Sequence, residues 1–269
     1  MIKIGLIGCG AIGSVLAQTI ERRFHRFAYL AYVSDCNPEQ IHKLRRKVKS
    51  RTFRSVSANE LIRNSNLIIE AASQEAARLF IPEALHYHKD ILVLSVGGVF
   101  RIPNIQKLVA RSRGHVYIPS GAIAGIDSVL AAKVLGLRRV RITTRKPLKS
   151  LLDSPYLSQK KFKVRKICKP TLIFEGDASQ AIRYFPQNIN VAATLSLAGL
   201  GSKKTRVRIF ASPTYRHNIH EIELIGRFGR MVSTVTNIPS KENPKTSVLA
   251  IGSAIAALEK IFQQIKVGT

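Results

Sequence analysis

The 269-residue sequence has no tryptophan, three cysteines and only 16 acidic residues against 43 Lys and Arg. Cys9, Cys36 and Cys168 form no CxxC pair and join no His/Cys ladder with zinc spacing. That excludes a disulfide framework and fits a reducing compartment, with no metal site expected. Aromatic residues make up 7% of the chain, so stacking platforms for single-stranded nucleic acid are missing. No helix-turn-helix, zinc-finger or RNA-binding motif takes their place. Low-complexity tracts are absent, and 45% hydrophobic with 22% charged residues is ordinary for a globular protein. Ile4–Ile20 is uncharged, but Gly5, Gly8, Gly10 and Gly13 punctuate it in a way that opposes a signal peptide. No other stretch is long and apolar enough to span a bilayer. The expectation is a soluble, cytoplasmic protein with no membrane partner and no specific nucleic-acid partner.

The scarcity of acids leaves a net charge of +27. The excess is clustered in 43–54 (including Lys43, Arg45, Arg51 and Arg54), in 138–149, in 160–169 and around Lys203–Arg208. Such a field draws anions of any kind, from nucleotides and dicarboxylates to nucleic acid, where binding would be weak, salt-sensitive and non-specific.

Apolar runs and helical patterns alternate through the first 119 residues. IKIGLIG (2–8), FAYLAYVSD (27–35), NLIIEAAS (66–73), DILVLSV (90–96) and HVYIPS (115–120) read as buried strands. Helical patterns at 11–23, 38–48, 75–88 and 103–113 separate them. That order indicates an α/β domain, a parallel sheet covered on both faces with right-handed crossovers. From about residue 120 the character changes to helix at 125–137, strand at 138–146, strand at 171–176, and helices at 178–184 and 188–199. The stretches 205–212 and 220–237 read as antiparallel strands. The predicted organisation is a Rossmann-type domain over 1–119 and an α+β substrate domain over 120–243. A last helix within 244–269 is expected to pack back on the first domain.

Gly8-Cys9-Gly10-Ala11-Ile12-Gly13 is a GxGxxG that follows a strand and opens a helix. In that context Gly8 allows the tight turn, Gly10 the approach of a pyrophosphate, and Gly13 the close packing of helix on strand. Ala11 and Ile12 then lie in the helix N-terminal turn that faces the phosphates. Asp35 ends the second strand, 22 residues after Gly13, where a carboxylate can accept from ribose hydroxyls. NAD is therefore the expected cofactor, with NADP tolerated if the basic 43–54 cluster reaches the ribose. Ala72 and Ser73, and Gly97-Gly98, end later strands and are candidate walls on the nicotinamide side. Further along, His220, Ile222 and Leu224 share one face of a strand, with Glu221 and Glu223 on the other. Taken alone, such a histidine fits a packed core position better than a catalytic one.

Several segments resemble the L-aspartate dehydrogenase family. They include GLIGCGAIG (5–13), EAASQEA (70–76), IPSGAIAGIDS (118–128), TTRKP (143–147), FEGDASQAIRYFPQNINVAATLSLAGLG (174–201), NIHEIEL (218–224) and ENPKTS (242–247). They occur in the family's order over nearly the whole chain. Departures are the basic, tryptophan-free loop after TTRKP, Ser212-Pro213 where the family has Asp-Pro, and GGVFR at 97–101. The resemblance implies a homodimeric enzyme that oxidises L-aspartate to iminoaspartate, which hydrolyses to oxaloacetate and ammonia. In some organisms that imine feeds quinolinate and NAD synthesis. It also implies that His220 is the catalytic acid or base and that Ala124 and Asn190 contact NAD. A dicarboxylate amino acid needs cations or N–H donors, so Arg145, Lys146 and Lys245 are candidate substrate ligands. Asn188 and Thr194, at the opening of the 188–199 helix, join them. A dihydrodipicolinate-reductase-type enzyme and a non-catalytic NAD sensor are the alternatives, and NIHEI and NINVAAT argue against the first.

Overall fold

The computed structural model describes residues 1–49, 53–159, 167–186, 189–240, 246–265 and 267–268. In it the alternating pattern of the first part becomes a six-stranded parallel sheet of order β3-β2-β1-β4-β5-β6. The strands are β1 (Ile2–Ile7), β2 (Ala28–Ser34), β3 (Arg54–Ser55), β4 (Leu67–Glu70), β5 (Asp90–Val93) and β6 (Val116–Tyr117). Between them run α1 (Ala11–Arg23), α2 (Pro38–Lys47), α3 (Ala58–Asn64), α4 (Gln74–His86) and α5 (Ile105–Arg111). This is the Rossmann strand order, whose ligand crevice opens at the carboxyl ends of the strands. β4 is buried at all four positions, as a central strand covered on both faces must be. Helix starts follow local chemistry: Asn37 caps α2 ahead of Pro38 at the first helical position, and Ser73 caps α4.

Strand β5 ends at Val93 rather than running to residue 96. Val96–Arg101 forms a 3-10 turn instead, and a Cβ on Gly98 would lie 2.6 Å from Ala77 Cβ of α4. Gly97 and Gly98 are thus buried against α4 and do not form an open wall.

The chain divides into two compact units. The first is Met1–Pro119 together with the C-terminal helix from Ile251; the second begins at Ser120 and extends to Ala250. The second unit holds a mixed five-stranded sheet of order β11-β10-β7-β9-β8. Its elements are α6 (Ile126–Val134), β7 (Leu137–Pro147), α7 (Pro155–Gln159), β8 (Thr171–Asp177), α8 (Ala178–Tyr184), α9 (Asn190–Ala198), β9 (Thr205–Ser212), β10 (Asn218–Gly226) and β11 (Gly229–Asn237). β10 and β11 are an antiparallel hairpin, but β9 runs parallel to β7. Parallel neighbours need a long crossover, and the chain between β7 and β9, whose described residues include α7, β8, α8 and α9, supplies it.

The C-terminal helix α10 (Val248–Phe262) contributes Ala254 and Leu258 to the core that Ile4, Leu6, Leu16 and Ile20 form in the first unit. Phe262 stacks on Phe27, with centroids 6.1 Å apart. Leu258→Ala is expected to cost about 2–5 kcal/mol, because it opens a cavity in a fully buried site. Leu249→Ala, at a position 44% exposed, should stay within about 0.5 kcal/mol. Urea midpoints of the two variants check this, and equal shifts would reject the docking role of Leu258.

Candidate functional site

The glycine turn links β1 to α1. Gly8 has φ +95°, and a Cβ there would lie 2.6 Å from Ala71 O and 2.8 Å from Ala72 Cα. A Cβ on Gly13 would overlap the Gly8 carbonyl. At Gly10, by contrast, a Cβ would meet nothing within 4 Å. Two of the glycines are therefore required by the protein's own packing, and the third faces open space. Gly10 also caps α1 without a side chain, and the first turn carries no acid. The N–H groups of Ala11, Ile12 and Gly13 fall in that turn, which has no helical acceptor for them. An open glycine at an uncapped helix N-terminus is what a dinucleotide pyrophosphate requires, so the residues fit the group.

Asp35 stands beside this turn. Its carboxylate accepts from Cys9 N–H at 2.6 Å and from Asn37 N–H at 2.8 Å, while Gly8 N–H donates to Ser34 O at 2.8 Å. Each oxygen keeps a lone pair for a further donor. Burial, and then the charge of Asp35, push the Cys9 thiol up to about 12, which keeps it protonated and inert. Three members of the basic cluster are engaged with their own surroundings. Lys43 pairs with Glu39 at 2.9 Å, Arg45 lies 4.7 Å over the Phe53 ring, and Arg54 is 3.8 Å from Glu60. Arg51 lies outside the described residues.

On the nicotinamide side, Ala72 and Ser73 are exposed in the turn after β4. Below them is a residue the sequence reading passed over. Glu70 is fully buried, and its carboxylate accepts from Ala72 N–H (2.9 Å), Ser73 N–H (3.1 Å) and Ser95 N–H (2.9 Å). Burial pushes its carboxyl above the usual range, against the opposing pull of those donors. The available signal was an acid ending an otherwise apolar strand.

In the second unit, strand alternation builds the polar cluster. Val140, Ile142, Thr144 and Lys146 share one face of β7 and stand opposite Leu224, Ile222 and His220 of β10. The apolar members pack under α6, while Thr144, Lys146 and His220 remain as a buried polar end. His220 Nδ1 shares a hydrogen bond with Thr144 Oγ1 at 3.0 Å. Burial pulls the Lys146 ammonium down to about 8. Burial and the nearby Lys146 charge pull His220 down to about 3, so its imidazole is neutral at ordinary pH. Asn218 and Asn237, paired across β10 and β11, are buried on this face, and Asn237 Nδ2 donates to Ala122 O at 3.0 Å. That bond ties the turn before α6 to β11, the hairpin partner of the His220 strand. The Oδ1 atoms of both asparagines have no hydrogen-bond partner among the described residues.

Arg145 is one residue from Lys146 and therefore on the opposite face. It pairs with Glu221 at 3.2 Å, and the strand does not bring it to His220. Ala124 is exposed just before Gly125, whose φ of +88° starts α6. Asn190 is exposed at the first position of α9, and Thr194 is buried one turn further on. Asn188 and Lys245 lie outside the described residues. No group of three His, Cys, Asp or Glu among the described residues could hold a metal ion, and no described helix is long and apolar enough to cross a membrane.

Comparison with known proteins adds to this geometry. Residues 127–261 match the family model for the C-terminal part of aspartate dehydrogenase, and residues 8–119 match that for the NAD-binding domain of homoserine dehydrogenase. L-aspartate dehydrogenases of Methanosarcina barkeri and Nitrosopumilus maritimus are 41% and 36% identical, each over the full length of both chains. The crystal structure of aspartate dehydrogenase from Thermotoga maritima superposes with a TM-score of 0.75 at 25% identity, again over both full chains. A scyllo-inositol dehydrogenase from Lactobacillus casei, at 14% identity and a TM-score of 0.54, shares the fold alone; it covers all of this chain and 90% of its own.

Proposed function

The chain belongs to the L-aspartate dehydrogenase family, and we propose that it oxidises L-aspartate with NAD to iminoaspartate, which water converts to oxaloacetate and ammonia. The observation that carries this reading is the buried His220–Thr144 pair beside Lys146, in a chain with an open Gly10 turn. Bound at that turn, with Ala72, Ser73, Ala124 and Asn190 as further contacts, the cofactor supplies the hydride acceptor. The protein supplies orientation and proton transfer. Thr144 fixes the imidazole through Nδ1, leaving Nε2 to take the proton of the substrate ammonium and later to activate water against the imine. The Lys146 ammonium faces a substrate carboxylate. Purified protein with NAD and L-aspartate should produce NADH, followed at 340 nm. No turnover with either nucleotide in either direction would sink the assignment. Family membership extends the proposal to a cytoplasmic homodimer that can feed NAD synthesis through quinolinate.

NAD should be preferred over NADP by about tenfold or more in KM. The Asp35 carboxylate suits ribose hydroxyls and repels a 2′-phosphate. A lower KM for NADP would reverse this reading.

The pH dependence has a definite sign. Lys146 holds its proton below about 8 and loses it above, so kcat/KM for aspartate should fall as pH rises through that value. Lys146→Met should remove that limb and raise the KM for aspartate by about tenfold or more. An unchanged profile in the variant would take Lys146 out of the substrate site.

A further inference from the structure

We propose that Glu70 is a positioning residue for the dinucleotide, its carboxylate holding the turns beyond β4 and β5 in the shape that the nicotinamide half meets. The inference rests on the dehydrogenase reading above. Three turns meet at this end of the sheet. The glycine turn lies against Ala71 and Ala72 so closely that Gly8 has no room for a side chain. Ala71 N–H donates to Ile7 O at 2.8 Å, which fixes that second turn to β1. Glu70 then joins the second turn to the third: one carboxylate oxygen takes the N–H groups of Ala72 and Ser73, and the other takes that of Ser95. Its own carbonyl accepts from Leu94 N–H at 3.0 Å, so main chain and side chain hold the same pair of segments.

The three N–H groups that donate to this carboxylate offset its burial. It is fully buried, and none of the described ion pairs includes it. Burying an anion without a cation is expensive, so a side chain whose only task was to fill this space would not be a carboxylate. A carboxylate does one thing an apolar group cannot: it accepts from two directions at once and fixes the gap between two turns. Those turns stand where the Rossmann crevice receives its ligand. Exposed Ala72 and Ser73 are the surface so presented, and Glu70 reaches the ligand only through them.

Glu70→Gln keeps the shape but has one acceptor oxygen, and its NH2 must face either Ser95 N–H or the N–H pair of Ala72 and Ser73. Donor then opposes donor and one turn is released. NADH affinity, read by fluorescence titration, should weaken by about tenfold, and KM for NAD should rise alike. The kcat and the KM for aspartate should change by less than about threefold, because the reacting groups are elsewhere. A merely structural role would instead lower the melting temperature and the active fraction while leaving KM for NAD unchanged. Should Glu70→Gln not fold, Glu70→Asp carries the test: the carboxylate retracts by one methylene and cannot reach both turns, so NADH affinity should again fall. Folded variants that bind NADH as the parent does would overturn the positioning role alone. Failure of both to fold would assign Glu70 to stability and also overturn it. A parent protein that binds no NADH would remove the dehydrogenase reading, and this proposal with it.

Discussion

His220→Ala should lower aspartate-dependent NADH formation by about 10²–10⁴-fold while leaving NADH affinity within about twofold. The imidazole is 3% exposed, faces the polar end of an otherwise apolar sheet face, and is held through Nδ1 by Thr144. A histidine serving only as packing has no need of a neutral, oriented ring beside a buried ammonium. With its pKa pushed down to about 3, the ring is a ready acceptor across the working range, and no acid limb should appear near its ordinary value of 6.5. The proton it receives comes from a substrate ammonium that must release it so that the nitrogen electron pair can form the C=N bond as the Cα hydride leaves. This makes the N–H far more acidic, so the transfer needs proximity more than a strong base. Thr144→Val should lose less, about tenfold, since it frees the ring without removing it. Melting temperature and NADH titration of each variant separate a lost catalyst from a lost fold. Activity surviving in the alanine variant would keep the enzyme and return His220 to the core.

Which parts of this site could be read in the sequence follows from how far apart its partners lie. The glycine motif is local: its three glycines fall within 8–13 and its strand–helix setting is written in the flanking periodicity, although Ala71, Ala72 and Asp35, which pack on the turn, are distant. The face of His220 was legible for the same reason, since alternation with Ile222 and Leu224 is a property of one strand. Arg145 and Lys146 stand alike as candidates in the sequence analysis, although strand alternation could have separated them. Val140, Ile142, Thr144 and Lys146 share parity, whereas Arg139, Arg141 and Arg145 take the other face, so the buried cation was the even-numbered one. The rest depended on pairings between distant segments. Thr144 meets His220 across 76 positions, Ser95 meets Glu70 across 25, and Asn237 meets Ala122 across 115. No periodicity within either partner specifies such a meeting. The parallel pairing of β9 with β7 was hidden likewise, because a strand's own pattern does not reveal its neighbour's direction.

Gly10→Ala and Gly13→Ala should fail in different ways, although each adds one methyl to the same motif. At Gly10 the new methyl meets no protein atom within 4 Å, so the variant should melt within a degree or two of the parent, on the general rule that an open-site substitution costs little. The space it takes is that of the pyrophosphate, and NADH affinity should fall by about 10²-fold or more as the phosphate is pushed off the N–H groups of the helix start. At Gly13 the methyl overlaps the Gly8 carbonyl, which is backbone and cannot rotate away. Relief requires α1 to move off β1, breaking the contact that seats Leu16 and Ile20 in the core; such overpacking costs about 1–3 kcal/mol and lowers the melting temperature together with binding. The paired measurement, melting temperature beside NADH titration, therefore separates a ligand-facing glycine from a packing glycine. A Gly10→Ala variant that binds NADH normally would mean that the dinucleotide does not use this turn, and the cofactor site would have to be sought elsewhere in the chain.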